Sequence, residues 1–322
     1  MRHLLIFLLL FWGITTAASE AAVVSYTDKL GRSVEIPLPV QRVVFFQLYE
    51  MLPSLDVWER VAGVSSYVYR DDLIRAAKPD IEKIPSVGTG SDINIEAVMQ
   101  LKPDLVLTWA WKPETIRFME EKGLKVIAVY PESIAELYEV MHLLGRLFER
   151  EDAMQTTIAE METTFSLIRE RIGKQPARDK RKMLFLGGQP NLVSCALGIN
   201  NDLLTMIGGI NPAGDIRERS TLLSLEQIVV WNPEIIFIWA NAGYSAKDIL
   251  ENPQWRNIRA VREGRVYKTP NWTSWSPRLT MLALWMAKQA YPEDFKDIEL
   301  AAMADRLYRR VFHIPYQPAV QP

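Results

Sequence analysis

Apolar residues along the chain are gathered into short runs, each too brief for a long helix and each bounded by polar or turn-forming residues. Val23 to Thr27 and Ser33 to Ile36 set β-forming residues on either side of Asp28-Lys29-Leu30-Gly31, a pattern that predicts a hairpin. Runs of strand length follow at Val43 to Phe46, Val61 to Val64, Asp104 to Thr108 and Lys125 to Val129. Helical stretches separate them, the first predicted over Tyr49 to Trp58. Strands that alternate with helices imply parallel βαβ units and a sheet covered by helices. The alternation returns later, with strands at Lys182 to Leu186, Glu234 to Ile238 and Arg265 to Lys268. Helical stretches there are Asp202 to Ile207, Arg278 to Ala290 and Leu300 to Val311.

One element interrupts this order. Met154, Ile158, Met161, Phe165, Ile168 and Ile172 are spaced alternately four and three apart, a single narrow helical stripe. At ~1.5 Å per residue such a helix is about 33 Å long, and Gln175-Pro176 is expected to end it.

A repeat flanks that helix. The segment from Ile93 to Trp109 aligns without a gap on the segment from Leu223 to Trp239, with Glu96 and Glu226, Pro103 and Pro233, and the two final tryptophans identical. Each copy reads as a helix capped by Asn94 or Ser224, a proline-containing break, and a buried parallel strand. The expected architecture is therefore α/β: two similar Rossmann-like lobes with central, mostly parallel sheets, joined by one long helix. The boundaries are 22–149 for the first lobe, 150–175 for the helix and 180–318 for the second lobe, each lobe able to bury its own core.

Composition narrows the setting. The chain has 322 residues, 48% apolar, with 37 basic against 39 acidic side chains, which makes no electrostatic case for nucleic acid. Arg2 and His3, an apolar run from Leu4 to Trp12 and the small residues Thr15 to Ser19 have the order of a secretory signal peptide over residues 1–20. Cleavage is expected within Ala17 to Ala21. The apolar run is shorter than the ~20 residues that span a bilayer. The single cysteine, Cys195, allows no disulfide and offers no lipid-attachment site near the mature start, so a protein free in the periplasm is expected. Cys195 itself reads as a small buried residue.

Ligands of open α/β sheets bind beyond the carboxyl ends of the strands. Trp109 and Trp239 stand there, one per lobe, with Trp111 and Tyr244 close in sequence; Trp272, Trp275 and Arg278 follow a further strand. These side chains predict an aromatic cleft between the lobes, against the alternative that the tryptophans are core. Glu96 and Glu226 occupy the same place in the first turns of their helices, which suggests one exposed acidic knob per lobe. The three histidines, His3, His142 and His313, form no metal-ligand cluster, and no nucleophile stands beside a base. No resident metal or cofactor, and no enzymatic activity, is expected. A metal-cluster enzyme of two α/β lobes would need the cysteine and histidine ligands that this chain lacks.

These residues resemble the Fe/B12 periplasmic-binding family, the carriers of siderophores, haem and cobalamin. The likeness rests on Thr27-Asp28-Lys29-Leu30-Gly31-Arg32, Pro39 to Val44, Gly63 to Tyr67 and the two repeat segments. It extends to Gly208-Gly209-Ile210-Asn211, Trp255 to Tyr267 and Ser276-Pro277-Arg278. The resemblance implies two α/β lobes on one long helix, a cleft between them that closes little, and a monomer that serves an ABC permease dimer with its ATPase. It also implies that Glu96 and Glu226 meet permease arginines. Gly63-Val64-Ser65-Ser66-Tyr67 and Trp109 are similar to the cobalamin carrier. Gly90 and Ser220, six residues before each docking glutamate, are not the tryptophans a corrinoid site resembling it would have. Haem carriers of the family often use a tyrosine, for which Tyr67 and Tyr69 are candidates. Arg70, Arg219 and Arg278 suit an anionic chelate. The expected cargo is a ferric siderophore, with a corrinoid or haem as alternatives.

Overall fold

The computed structural model describes residues 22–173 and 180–317. The expected signal segment, Gln175-Pro176 and position 318 lie outside them.

The chain opens with an antiparallel hairpin, β1 (Val23–Thr27) with β2 (Ser33–Pro37), in register from Val23 opposite Pro37 to Thr27 opposite Ser33. The first lobe is built on β3 (Val43–Phe45), β4 (Val61–Val64), β5 (Leu105–Trp109) and β6 (Val126–Val129). They form one sheet in the order β4-β3-β5-β6, with every pairing parallel. The second lobe holds β7 (Met183–Leu186), β8 (Leu192–Ser194), β9 (Ser220–Leu222), β10 (Ile235–Ile238) and β11 (Val266–Lys268), in the order β11-β10-β7-β8-β9. There β11, β10 and β7 are parallel, while β8 and β9 extend the sheet antiparallel. β8 and β9 have no counterpart in the predicted elements. The predicted helix over Tyr49 to Trp58 is instead a 3₁₀ turn, one α turn at Leu52–Leu55 and a second 3₁₀ turn. Asp56, in the left-handed conformation at φ 50°, breaks it.

The sequence repeat is a repeat in space. Asn94 Oδ1 accepts from Ala97 N–H and Ser224 Oγ from Gln227 N–H, each capping its helix. Lys102 and Asn232, one residue before the matched prolines, both turn left-handed at φ 46° and 48°. The next acidic side chains, Asp104 and Glu234, then accept backbone N–H groups at the start of a neighbouring strand, from Arg42 and Lys182.

The helix Glu151–Gly173 packs its stripe, Met154, Ile158, Met161, Phe165 and Ile168, fully inward. These side chains share one apolar cluster with Phe45, Leu105 and Phe148 of the first lobe and Phe237, Leu279 and Leu284 of the second. A smaller cluster around Val44, Val106 and Val126 belongs to the first lobe alone, and one around Leu184, Ile236 and Ile258 to the second. The lobes thus bury one core jointly around the helix and a private one each, rather than two separate cores.

Candidate functional site: an aromatic cleft between the lobes

Parallel strands deliver their carboxyl ends to one side of a sheet, and here the two sheets turn those ends toward a common cavity of about 660 Å³. From the first lobe come Glu50, Tyr67, Arg70, Trp109, Trp111 and Tyr130. From the second come Arg219, Trp239, Asn241, Trp272 and Trp275.

One wall is an aromatic block that crosses between lobes. Trp109 sits 4.6 Å from Trp275, nearly edge-on, and 4.9 Å from Trp111, ring centre to ring centre. Tyr130 lies 5.2 Å from Trp109 and 5.6 Å from Trp275. The Trp275 indole N–H donates to Pro131 O at 3.0 Å, which fixes this C-lobe ring on the N-lobe loop. Trp109 is only 4% exposed, whereas its repeat partner Trp239 is 45% exposed on the opposite side. The matched tryptophans therefore differ: one is both core and wall, the other offers an open face. Gly90 and Ser220, the matched positions before the two glutamates, also line the cavity. A Cβ at Gly90 would stand 2.9 Å from Trp109 Cδ1, so a tryptophan there is incompatible with Trp109 as placed.

The floor is ionic. Arg278 is 1% exposed; its Nε donates to Glu50 Oε2 at 2.8 Å, its Nη2 to Glu50 Oε1, and its Nη1 to Asp72 Oδ1 at 2.7 Å. Asp71 Oδ2 lies 3.6 Å away, and Nη1 reaches the Tyr308 hydroxyl at 3.4 Å. Burial by itself would lower the guanidinium's pKa, but Glu50 holds it well above the ordinary range. Burial, then the Glu50 charge, pushes the Asp71 carboxyl well above the usual carboxylate range. Arg278 thus lines the cavity, but as part of its floor. The side chain joins the two lobes beneath the cleft, and its donors are taken up by protein carboxylates.

Tyr244 departs from expectation. It does not line the cavity: its hydroxyl donates to Gly187 O at 2.9 Å and Gln189 O at 3.2 Å, bracing the loop after β7. Tyr69 likewise turns away and donates to Ile84 O at 2.6 Å. Arg70 stays exposed at the cavity and makes no ion pair or side-chain hydrogen bond among the described residues, while Arg219 is engaged by Glu132. Tyr130, Glu50 and Asp71 are cavity residues that the sequence reading missed. Tyr130 immediately follows β6, so the same strand-end rule would have found it; Glu50 and Asp71 carry no such signal.

Glu96 and Glu226 are both exposed, in the first turns of Ile95–Gln100 and Leu225–Trp231. Each glutamate lies six residues beyond a cavity-lining position, Gly90 or Ser220. Glu226's own backbone N–H and the Ser224 hydroxyl hold its carboxyl below the usual range. Among the described residues, no group of three or more His, Cys, Asp or Glu side chains is arranged to hold a bare metal ion, and no helix is long and apolar enough to cross a membrane.

Comparison with known proteins agrees with this geometry. A family model described as "Periplasmic binding protein" matches residues 47–272. The chain is 26% identical to the molybdate-binding protein MolA of Haemophilus influenzae, over 91% of this chain and 92% of that one. It is also 26% identical to an iron-uptake system-binding protein of Bacillus subtilis, over 78% and 80%. Among solved structures, Helicobacter pylori CeuE with Ni(II) bound superposes with a TM-score of 0.81 at 29% identity, covering 91% of this chain and 97% of that one.

Proposed function

Because the chain belongs to the Fe/B12 periplasmic binding protein family, whose members bind substrates for transport and are not enzymes, we propose that it carries a ferric siderophore through the periplasm as a monomer and hands it to an ABC permease with its ATPase. The observation that carries the reading is the cleft wall itself: aromatic faces from both lobes around about 660 Å³, with Arg70 and Arg219 at its edge. That volume lies within the ~300–1,000 Å³ of sites that enclose a mid-sized organic ligand. Aromatic faces suit the apolar and π surfaces of a chelator, and arginines suit its residual negative charge. A bare oxyanion would leave most of the cavity unfilled. For a corrinoid, Gly90 and Ser220 lack the flat side chains that a macrocycle would stack on. Export rests on the signal-like order of residues 1–20, and delivery on the exposed pair Glu96 and Glu226.

The test is a tryptophan-fluorescence titration against ferric siderophores, haem, cobalamin and molybdate, corrected for ligand absorbance. Saturable quenching by a ferric chelate is expected, since Trp109, Trp111, Trp239, Trp272 and Trp275 all line the cavity. Saturation by cobalamin, haem or molybdate alone would replace the siderophore with that ligand.

A further inference from the structure

At the seam between the lobes one carboxylate holds two cations. Glu132, three residues past the end of β6, receives the Nε–H of Arg219 on its Oε1 and Lys29 Nζ at 2.8 Å on its Oε2. Arg219 belongs to the second lobe, immediately before β9; Glu132 and Lys29 belong to the first. The guanidinium carbon of Arg219 lies 4.4 Å from the centre of the Tyr130 ring, so one face is covered as well. Its Nη1 and Nη2 make no hydrogen bond among the described residues, and Arg219 lines the cavity. The loop carrying Glu132 is itself fixed on the second lobe, by Trp275 on Pro131 O and by Asp202 Oδ2 accepting Ile134 N–H at 2.8 Å.

We propose that Glu132 is a positioning residue for anion capture: from the first lobe it locks the Nε edge of Arg219 against Tyr130 and leaves the Nη edge as a preset two-donor fork for an acidic group of the cargo. The inference rests on the reading that the cleft takes an anionic chelate. Arg219 is half exposed on a long side chain, and such a side chain gives up rotamer freedom when a ligand fixes it. A partner that holds it beforehand removes that cost, and the planar fork keeps its geometry. Burial opposes ionisation of Glu132, but its hydrogen bonds from Lys29 and Arg219 prevail and hold the carboxyl below the usual range. Lys29 also pairs with Glu136 at 2.7 Å, so two cations and two carboxylates balance at the seam, and what Glu132 adds to Arg219 is orientation.

Charge and position predict opposite signs for Glu132→Gln, which makes the variant informative. Removing a negative charge beside the cleft would strengthen anion binding if only net charge mattered; losing the lock weakens it. Two chelates serve as probes: a hexadentate ferric tris-catecholate, which is anionic, and a neutral ferric tris-hydroxamate. Glu132→Gln is expected to weaken the anionic chelate about two- to tenfold, the range for one side chain that must be ordered on binding. The neutral chelate should be unaffected, and no further loss should appear in an Arg219→Ala background. In parallel, NMR relaxation of the Arg219 Nε–H, assigned with Arg219→Lys, should report an ordered group in the purified protein without chelate and a mobile one in Glu132→Gln. Tighter anion binding, equal loss for both chelates, or an Arg219 equally ordered in both proteins would overturn the proposal. If neither chelate saturates the wild type, the siderophore reading fails. Molybdate then replaces them in the same comparison, and the NMR result decides the lock independently.

Discussion

A guanidinium sealed from water costs several kcal/mol unless carboxylates meet it, and Arg278 is met by Glu50, Asp71 and Asp72 at once. The sealing separates Arg278 from Arg70 and Arg219, the two other arginines expected to suit an anionic chelate, which stay exposed at the cavity. It also sets the outcome of removing it. Arg278→Ala strands Glu50 in the interior and is expected to destabilise the fold by about 3–5 kcal/mol. Urea denaturation measures this, and an unchanged midpoint would show that the cluster contributes nothing. Trp109 and Trp239 make a related point. Equal in the repeat, they differ in exposure because Trp111, Tyr130 and Trp275 surround only the first.

Among the elements, the helix Glu151–Gly173 does more than span a gap. Phe165 lies in the middle of its stripe, fully buried in the cluster that both lobes share. Truncation there opens a cavity, and Phe165→Ala is expected to cost about 3–5 kcal/mol. Because the core is common, both lobes should lose that stability together. Chemical denaturation followed by tryptophan fluorescence and by far-UV circular dichroism should show one coincident transition, moved to lower denaturant. Two separated transitions, only one of them shifted, would mean that each lobe is held by its private core. The repeat was legible because its two copies share the glutamate, the proline, the final tryptophan and the apolar pattern, and in space Asn94 and Ser224 cap alike while Lys102 and Asn232 both turn left-handed. β8 and β9 were not: they join the sheet only by antiparallel pairing, β8 on β7 and β9 on β8, which the alternation of strands and helices does not announce.

For the molecule as a whole, the cavity and the proposed docking pair are built from different residues. The cleft lies between the sheets, whereas Glu96 and Glu226 stand exposed at the helix starts, and neither lines the cavity. Combining Glu96→Ala with Glu226→Ala is therefore expected to abolish stimulation of the permease ATPase while the chelate dissociation constant stays unchanged. Reconstituted transport alongside the fluorescence titration separates the two effects. A matching loss of chelate affinity would move these glutamates from docking to the binding site.

The alternation of strands and helices, the long stripe and the internal repeat settled the architecture from sequence, because burial periodicity is a local property of the chain. The same local rules placed Trp109, Trp111, Trp239, Trp272 and Trp275 near strand ends, the family resemblance added Tyr67, and all six side chains line the cavity. What local pattern could not supply was the partner of each side chain. Arg278 and Glu50 are 228 residues apart and Arg219 and Glu132 are 87 apart. Tyr244 braces a loop whose carbonyls lie more than fifty residues upstream. Whether an arginine is spent on protein carboxylates or left to a ligand depends on which distant groups the packing of two lobes around one helix brings against it, and only the tertiary structure decides that.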